Sequence, residues 1–153
     1  MAAIEQSIDV QVPVSTAYNQ WTQFESFPQF MEHVETISQV SDTLTRWVTT
    51  IGGERQEFNA EITEQHPDER IAWRSLGGDV HHAGVVTFHR IDDRTTRVMI
   101  QIEWEPEGAK EKVGSALGLD ASQVKKDAES FKEFIERRGV ESGGWRGDVE
   151  NPS

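Results

Sequence analysis

The feature that most constrains this chain is a run of six strand-like segments separated by short turns. Each segment is rich in β-branched or aromatic residues, and turn-forming pairs such as Gly52-Gly53, Pro67-Asp68 and Asp92-Asp93 lie between them. Because such short connections return each strand beside the previous one, the run predicts an antiparallel meander. The predicted strands span residues 34–40, 44–51, 56–64, 70–76, 81–91 and 96–105.

The residues before this run predict one more strand and two short helices. Apolar and polar residues alternate from 4 to 12, which is the period of a strand with one solvent-facing side. Pro13 ends that strand, and Ser15 is the predicted N-cap of a short helix. A second short, aromatic-rich segment follows at 24–31, where Pro28 limits helix length.

The residues after the run predict a long helix. From 109 to 138, apolar residues recur three or four positions apart, with a break predicted between Gly118 and Asp120. Gly139 follows two arginines and suits the position just after a helix end. We therefore predict a single domain over 1–139 and a flexible C-terminal tail over 140–153.

Together these elements predict an α+β fold, in which a curved seven-stranded antiparallel sheet wraps around the long C-terminal helix. A sheet with one apolar face must cover that face, and the helix, roughly 45 Å long, is the only element long enough. Since twisted sheets are concave, a helix laid into one leaves unfilled space. The expected consequence is an apolar cavity between the sheet and the helix.

Composition excludes several functions. The 153 residues carry a net charge of -12 and no cluster of basic residues, so neither nucleic acid nor stable membrane insertion is predicted. No cysteine is present, which removes disulfides and thiol chemistry and fits a cytoplasmic location. No apolar run approaches the roughly 20 residues of a membrane span.

The order of elements and several phrases resemble the START-like, or helix-grip, superfamily. Within it, the chain resembles the polyketide cyclase/dehydrase and coenzyme Q-binding group of small bacterial proteins. The phrases are VPVSTAYNQWTQFESFPQFM at 12–31, ITEQHPDERIAWRS at 62–75 and KKDAESFKEFIE at 125–136. The resemblance implies a cavity for a lipid, a quinone or a polyketide-like aromatic molecule, or a cyclase, aromatase or dehydratase acting in that cavity.

Large aromatic side chains and strand parity select the candidate ligand-binding residues. Alternate strand residues share a face, and residues three or four apart share a helix face. The direction of Trp47 stays open, because its strand is apolar on both faces. The candidates are Trp47, Gln56, Phe58, Ala60, Trp73, Ser75, Phe88, Ile102, Trp104, Leu117, Val124, Ala128, Phe131 and Ile135.

Candidate catalytic residues are few. His81 or His82 could act as an acid or base at the cavity mouth, and Arg74 could polarise a carbonyl, although its parity opposes that of Trp73. His81 and His82 point to opposite faces of a strand, and His89 lies roughly 26 Å from His81 at strand rise, so no metal site is predicted.

Three functions remain open at this stage. The first is binding of a small hydrophobic molecule without altering it, and the second is the enzyme that the resemblance implies. The third is a protein-interaction role for the convex or acidic surface. No cofactor is predicted, and a homodimer is left open.

Overall fold

The computed structural model describes residues 2–31, 34–51, 54–76, 81–105, 121–145 and 147. Its strands are β1 (Ala2–Val10), β2 (Val34–Gln39), β3 (Leu44–Ile51), β4 (Glu54–His66), β5 (Arg70–Leu76), β6 (His81–Asp92) and β7 (Thr95–Glu105). Its helices are α1 (Val14–Trp21), a 3₁₀ helix (Phe24–Gln29) and α2 (Ala121–Arg138).

The strands form one curled, seven-stranded antiparallel sheet in the order β1-β7-β6-β5-β4-β3-β2. Strands β2 to β7 are a meander, and β1 returns to pair with β7, with Ile4 opposite Ile102. This confirms the predicted α+β fold, including the two short helices between the first two strands. Strand β4 is longer than predicted and carries a bulge between Ile62 and Glu64.

The two faces of the sheet differ in chemistry. In β7, Val98, Ile100 and Ile102 are buried, while the alternating Arg97 is exposed and pairs with Asp9 of β1 (Nε–Oδ1 2.9 Å). A slip of one residue in strand pairing would bury such charges and expose the apolar set. The alternation therefore specifies which face receives the helices.

Helix α2 packs its apolar stripe against the rest of the core. Val124, Ala128, Phe131 and Ile135 are each no more than 3% exposed, in agreement with their helical spacing. The helix is anchored at β1, where the Lys132 ammonium donates to the Asp9 carbonyl (2.9 Å). The predicted helix start at 109 and the predicted break at 118–120 lie outside the described residues.

The predicted N-cap of α1 is wrong. The helix begins at Val14, the N-cap position is Pro13, and no side chain caps the helix end. Proline fits there because its φ of -60° is fixed and its ψ of 155° is extended. The Pro13 carbonyl accepts the first helical hydrogen bond from Ala17 N–H (3.1 Å), which leaves Ser15 inside the helix.

The residues that follow α2 lie against α1. Gln20 is fully buried, and its side chain exchanges two hydrogen bonds with Ser142, one to the hydroxyl (3.0 Å) and one from the backbone N–H (2.8 Å). The Trp145 N–H donates to the Thr22 hydroxyl (3.0 Å). The domain end at 139 and the flexibility of the tail stay predictions.

Candidate functional site

A cavity of about 80 Å³ lies between the concave face of the sheet and the helices. This volume is several times what one water molecule needs, roughly 10–15 Å³, and below the roughly 300–1,000 Å³ of pockets for drug-sized ligands. Six aromatic side chains dominate its wall: Trp21, Phe24, Phe27, Trp47, Phe58 and Trp73. Aliphatic side chains complete it: Met31, Ile62, Ile71, Val86, Ile100, Ile102 and Val124.

Trp47 faces the cavity, which resolves the direction that the sequence left open. Its indole stacks nearly parallel on Phe58, with ring centroids 5.8 Å apart, and meets Phe27 edge-on at 6.0 Å. Its Nε1 donates to the Thr45 hydroxyl (2.9 Å), which in turn donates to the Ala60 carbonyl (3.1 Å). These contacts hold one aromatic wall in place.

Trp73 occupies its place in the wall because its partner across the strands is a glycine. Gly84 pairs with Trp73 between β5 and β6. A Cβ on Gly84 would lie 2.3 Å from Cζ2 of the Trp73 ring, which no real contact allows. The bare backbone therefore lets the indole lie across β6.

The short helices contribute a wall that sequence reasoning missed. Trp21, Phe24 and Phe27 border the cavity, and Trp21 also packs against Phe27 and Phe131 at centroid distances of 5.1 and 5.0 Å. Their regular three-residue spacing was a usable signal. The prediction placed the cavity wall on the strands and the long helix only.

His82 is a buried histidine on the cavity wall. It is 8% exposed, its ring meets Phe58 edge-on at 5.1 Å, and its backbone N–H donates to the Ser75 hydroxyl (3.0 Å). Its Nδ1 has no hydrogen-bond partner among the described residues. Burial lowers the pKa of His82 from 6.5 to about 4, because the cation would lose its hydration. The ring is therefore neutral at pH 7.

Asp127 of α2 also borders the cavity and is only 7% exposed. Gln123, one turn earlier, donates to its carboxylate (Nε2–Oδ1 3.0 Å). Sequence reasoning missed this residue because it sought apolar positions on the helix. Its spacing of three from Val124 and four from Phe131 placed it on the same face.

Two further residues of the cavity wall carry a polar atom that has no partner within the described part of the chain. These atoms are the indole nitrogen of Trp21 and the hydroxyl of Thr49, and both are covered by protein atoms. Both residues are at least nine-tenths buried, with exposures of 4% and 2%. Thr45, the remaining polar wall residue, is satisfied by Trp47 and Ala60.

The structure brings some of the sequence candidates to the cavity and separates others. Trp47, Phe58, Trp73, His82, Ile102 and Val124 border it. Buried elsewhere in the core are Ala60, Ser75, Phe88, Ala128, Phe131 and Ile135. Leu117 and the side chains of Gln56, His81 and Trp104 lie outside the described residues.

Arg74 lies on the outer face of the sheet and not in the cavity wall. Its guanidinium pairs with Glu61 across β4 and β5 (Nη2–Oε1 2.8 Å), and its side chain is 60% exposed. Strand parity explains this, since the neighbouring Trp73 faces inward. A role for Arg74 in polarising a carbonyl inside the cavity therefore finds no geometric support.

The described residues include no group of three His, Asp or Glu side chains placed to hold a metal ion. Of the helices described, none is both long enough and apolar enough to cross a membrane.

A curled antiparallel sheet, a C-terminal helix across it and an apolar cavity between them define a START-like domain. Residues 10–134 match the model of the family described as polyketide cyclase / dehydrase and lipid transport. The chain belongs to that family.

Other proteins are similar to this chain in sequence or in fold. The chain is 60% identical over 149 residues to an uncharacterised 17.2 kDa protein of Streptomyces lincolnensis from the melC2-rnhH intergenic region, covering 97% of this chain and 99% of that one. The fold is similar to that of the Zhui aromatase/cyclase of a Streptomyces species, with a TM-score of 0.79, 14% identity and coverage of 94% and 99% of the two chains. It is also similar to a START superfamily protein of Mycobacterium smegmatis, with a TM-score of 0.74, 13% identity and coverage of 89% and 98%.

Proposed function

We propose that the protein binds a small hydrophobic molecule, with an aromatic ring, in the cavity between the sheet and the helices. The observation that carries the proposal is the wall of six aromatic side chains around the cavity. Flat rings such as Trp47 and Phe58, already stacked on each other, offer large apolar surfaces at low entropic cost. The family description, which includes lipid transport, and the aromatase/cyclase with the same fold support this class of ligand.

The first test is recovery of a ligand from protein purified from its own host. Native mass spectrometry should show a complex, and organic extraction should release an apolar compound. A protein that carries nothing and also fails to bind small aromatic probes in calorimetry would refute the proposal.

A cavity-filling variant makes the test specific to the site. Ile100 borders the cavity and is 5% exposed, so Ile100→Phe should place additional carbons into the space where a ligand would lie. We expect at least about tenfold weaker binding, together with a stability cost of about 1–3 kcal/mol from overpacking. The matched control is Ile91→Phe, which adds the same group at a side chain that is 48% exposed.

A second candidate function is catalysis of ring closure or dehydration on a polyketide-like chain. It is favoured by one observation, namely that the neutral imidazole of His82 and the carboxylate-bearing Asp127 border the same apolar cavity. A side chain that can exchange a proton beside the bound molecule is what general acid–base catalysis requires. If the protein is an enzyme, ligand extracted from His82→Gln should differ from ligand of the unmodified protein, by the mass of water where a dehydration is blocked and in its NMR spectrum where only a ring closure is blocked. Identical ligands in both would favour binding alone.

The remaining predictions rest on the sequence. They are the cytoplasmic location, the absence of a nucleic-acid partner and of a cofactor, and the homodimer that was left open.

A further inference from the structure

The residues that follow α2 fasten the two short helices of the cavity wall to each other. The fully buried Gln20 lies at the centre of this contact, because its amide meets two other segments of the chain. Its Nε2 donates to the Ser26 hydroxyl of the 3₁₀ helix and to the Ser142 hydroxyl, both at 3.0 Å. Its Oε1 accepts from the Ser142 N–H (2.8 Å). Residues 141–145, which we call the strap, therefore link α1 and the 3₁₀ helix to the end of α2.

The strap fits closely along α1, yet its hydrogen bonds are replaceable. A Cβ on Gly144 would lie 2.8 Å from Cγ of Asn19, so the backbone approaches α1 where only glycine fits. The Trp145 N–H donates to the Thr22 hydroxyl (3.0 Å). Ser142 is exposed, and water can take the place of its partners when the strap lifts. Releasing the strap therefore costs only the modest net strength of these bonds.

The cavity must grow before it can hold a ligand of ordinary size. Its volume is about 80 Å³, whereas an apolar cavity of about 150 Å³ is known to hold one benzene molecule. A ligand with one or more aromatic rings must therefore displace part of the wall.

The short helices are the part of the wall with the weakest backbone structure of their own. The strands that border the cavity each pair with a neighbour on both sides, and α2 is tied to β1 by Lys132 and by a bond from the Gln11 N–H to Glu136 (2.7 Å). Helix α1 and the 3₁₀ helix have only 8 and 6 residues. Because helices shorter than about 12 residues are marginal in isolation, these two depend on packing and on the strap.

We propose that the strap limits the size of the ligand that the cavity accepts. A ligand that fits the existing space leaves the strap in place. A larger aromatic ligand moves Trp21, Phe24 and Phe27 outward with their helices and breaks the bonds between Gln20 and Ser142. The stability of the strap therefore opposes the binding of large ligands alone. This inference rests on the proposed binding function and adds to it the control of ligand size.

Amide hydrogen exchange in the full-length protein tests whether a large ligand releases the strap. The probes are xenon, a single atom, and naphthalene, which has two fused aromatic rings. Saturating naphthalene should speed exchange of the Ser142 and Trp145 N–H groups about fivefold, because coupling between two sites is reciprocal and one ordinary hydrogen bond supplies this ratio. Xenon should leave both rates unchanged. The Gln11 N–H, which bonds to Glu136 of α2, is the control and should not respond to either probe.

Two variants weaken the strap without changing a residue of the cavity wall. Gly144→Ala places a Cβ against Asn19, and Ser142→Ala removes one acceptor of Gln20. Both should bind naphthalene about fivefold more tightly than the unmodified protein does in calorimetry, and both should bind xenon equally well by NMR. Ser142→Thr keeps the hydroxyl and should restore the original affinities. Ser130→Ala, the same change on α2 away from the strap, is the control.

The outcomes separate the strap from the binding function beneath it. If naphthalene binds without faster exchange at Ser142 and Trp145, or if the strap variants bind it no more tightly, the size limit is wrong and the binding function stands. If exchange of the Gln11 N–H rises instead, α2 moves and the short helices do not, which also overturns the inference. If neither probe binds the unmodified protein, the binding function fails for such molecules and the inference fails with it. Thermal unfolding checks that each variant folds, and the exchange experiment does not depend on them.

Discussion

The two faces of one sheet obey opposite rules in this protein. On the outer face, polar groups are paired with each other, as in the Arg74–Glu61 and Arg97–Asp9 ion pairs. On the inner face, Thr49 and His82 keep polar atoms without partners among the described residues, and so does Trp21 of α1, which packs over that face. Water can replace a broken pair outside, whereas an unpaired atom inside has no substitute.

The comparison teaches where specificity can reside. Exposed ion pairs typically contribute about 0–1 kcal/mol each, since both ions are already well solvated. Inner-face contacts are expected to matter several times more per residue, because both burial and unmet hydrogen bonds contribute. The predictions below challenge that ranking, beginning with the largest expected effect.

Removing the central aromatic ring of α2 should be the most damaging change. Phe131 is fully buried and packs against Trp21 and Phe30 at centroid distances of 5.0 and 5.3 Å. Phe131→Ala should lower the free energy of unfolding by about 3–5 kcal/mol in chemical denaturation. Phe134→Ala, at a partly exposed position of the same helix, is the control and should cost distinctly less. Equal costs would contradict the ranking of buried positions above exposed ones.

Acid should destabilise the protein through His82. Burial lowers its pKa from 6.5 to about 4. Between pH 6.5 and pH 4, His82 is therefore protonated in the unfolded chain but neutral in the folded chain. The free energy of unfolding should therefore fall as pH drops from about 6.5 to about 4, by at most about 3 kcal/mol from this residue.

Denaturation of the unmodified protein and of His82→Gln at several pH values measures this contribution. In His82→Gln, the free energy of unfolding should fall less steeply with decreasing pH. In His89→Gln, which changes an exposed histidine, it should fall as steeply as in the unmodified protein. An NMR titration that placed the pKa of His82 near 6.5 would show that its surroundings already solvate the cation.

The sequence predicted the strands and their inward-facing residues, but not which of those residues border the cavity. Strand positions such as 44–51 and 70–76 agree with the structure at both ends, because alternation and turn residues are local signals. Parity also oriented Phe58 and Trp73 inward. Local signals do not say which inward residue meets empty space. Ala60 and Ser75 share that face and are buried, yet they do not border the cavity.

The missed parts of the site have a common physical cause. Trp21 and Phe24 reach the cavity only through the way the short helices dock, which is a tertiary property. Asp127 was missed because polar residues on a helix are normally assigned to solvent. Phe88 was placed at the cavity by its size, but its ring packs edge-on against Tyr18 at 5.4 Å.

A smaller effect on stability, with a large effect on the cavity, is expected from Gly84→Ala. The new Cβ would lie 2.3 Å from the Trp73 ring, so the indole must move into the space where a ligand would lie. We expect a loss of about 1–3 kcal/mol in stability and at least about tenfold weaker binding of an aromatic probe. Ala83→Val, at the exposed neighbouring position, should change neither by a comparable amount. Unchanged probe binding in Gly84→Ala would show that Trp73 does not shape the site.

The smallest effect should come from the outer face. The pKa of Asp9 lies below its usual value of 3.8, chiefly because the Arg97 side chain donates a hydrogen bond to the carboxylate. Burial acts in the opposite direction and is the second-largest effect. The charge of Arg97 comes next and lowers the pKa further. Arg97→Gln should therefore raise the pKa of Asp9, measured by NMR, and the stability that this carboxylate adds above its unfolded pKa should shrink. Because the pair is exposed, added salt should produce much of the same change in the unmodified protein. The contrast between the faces would fail if Arg97→Gln changed the free energy of unfolding as much as His82→Gln does and salt did not reduce that change. The outer face would then contribute as much to stability as the inner face.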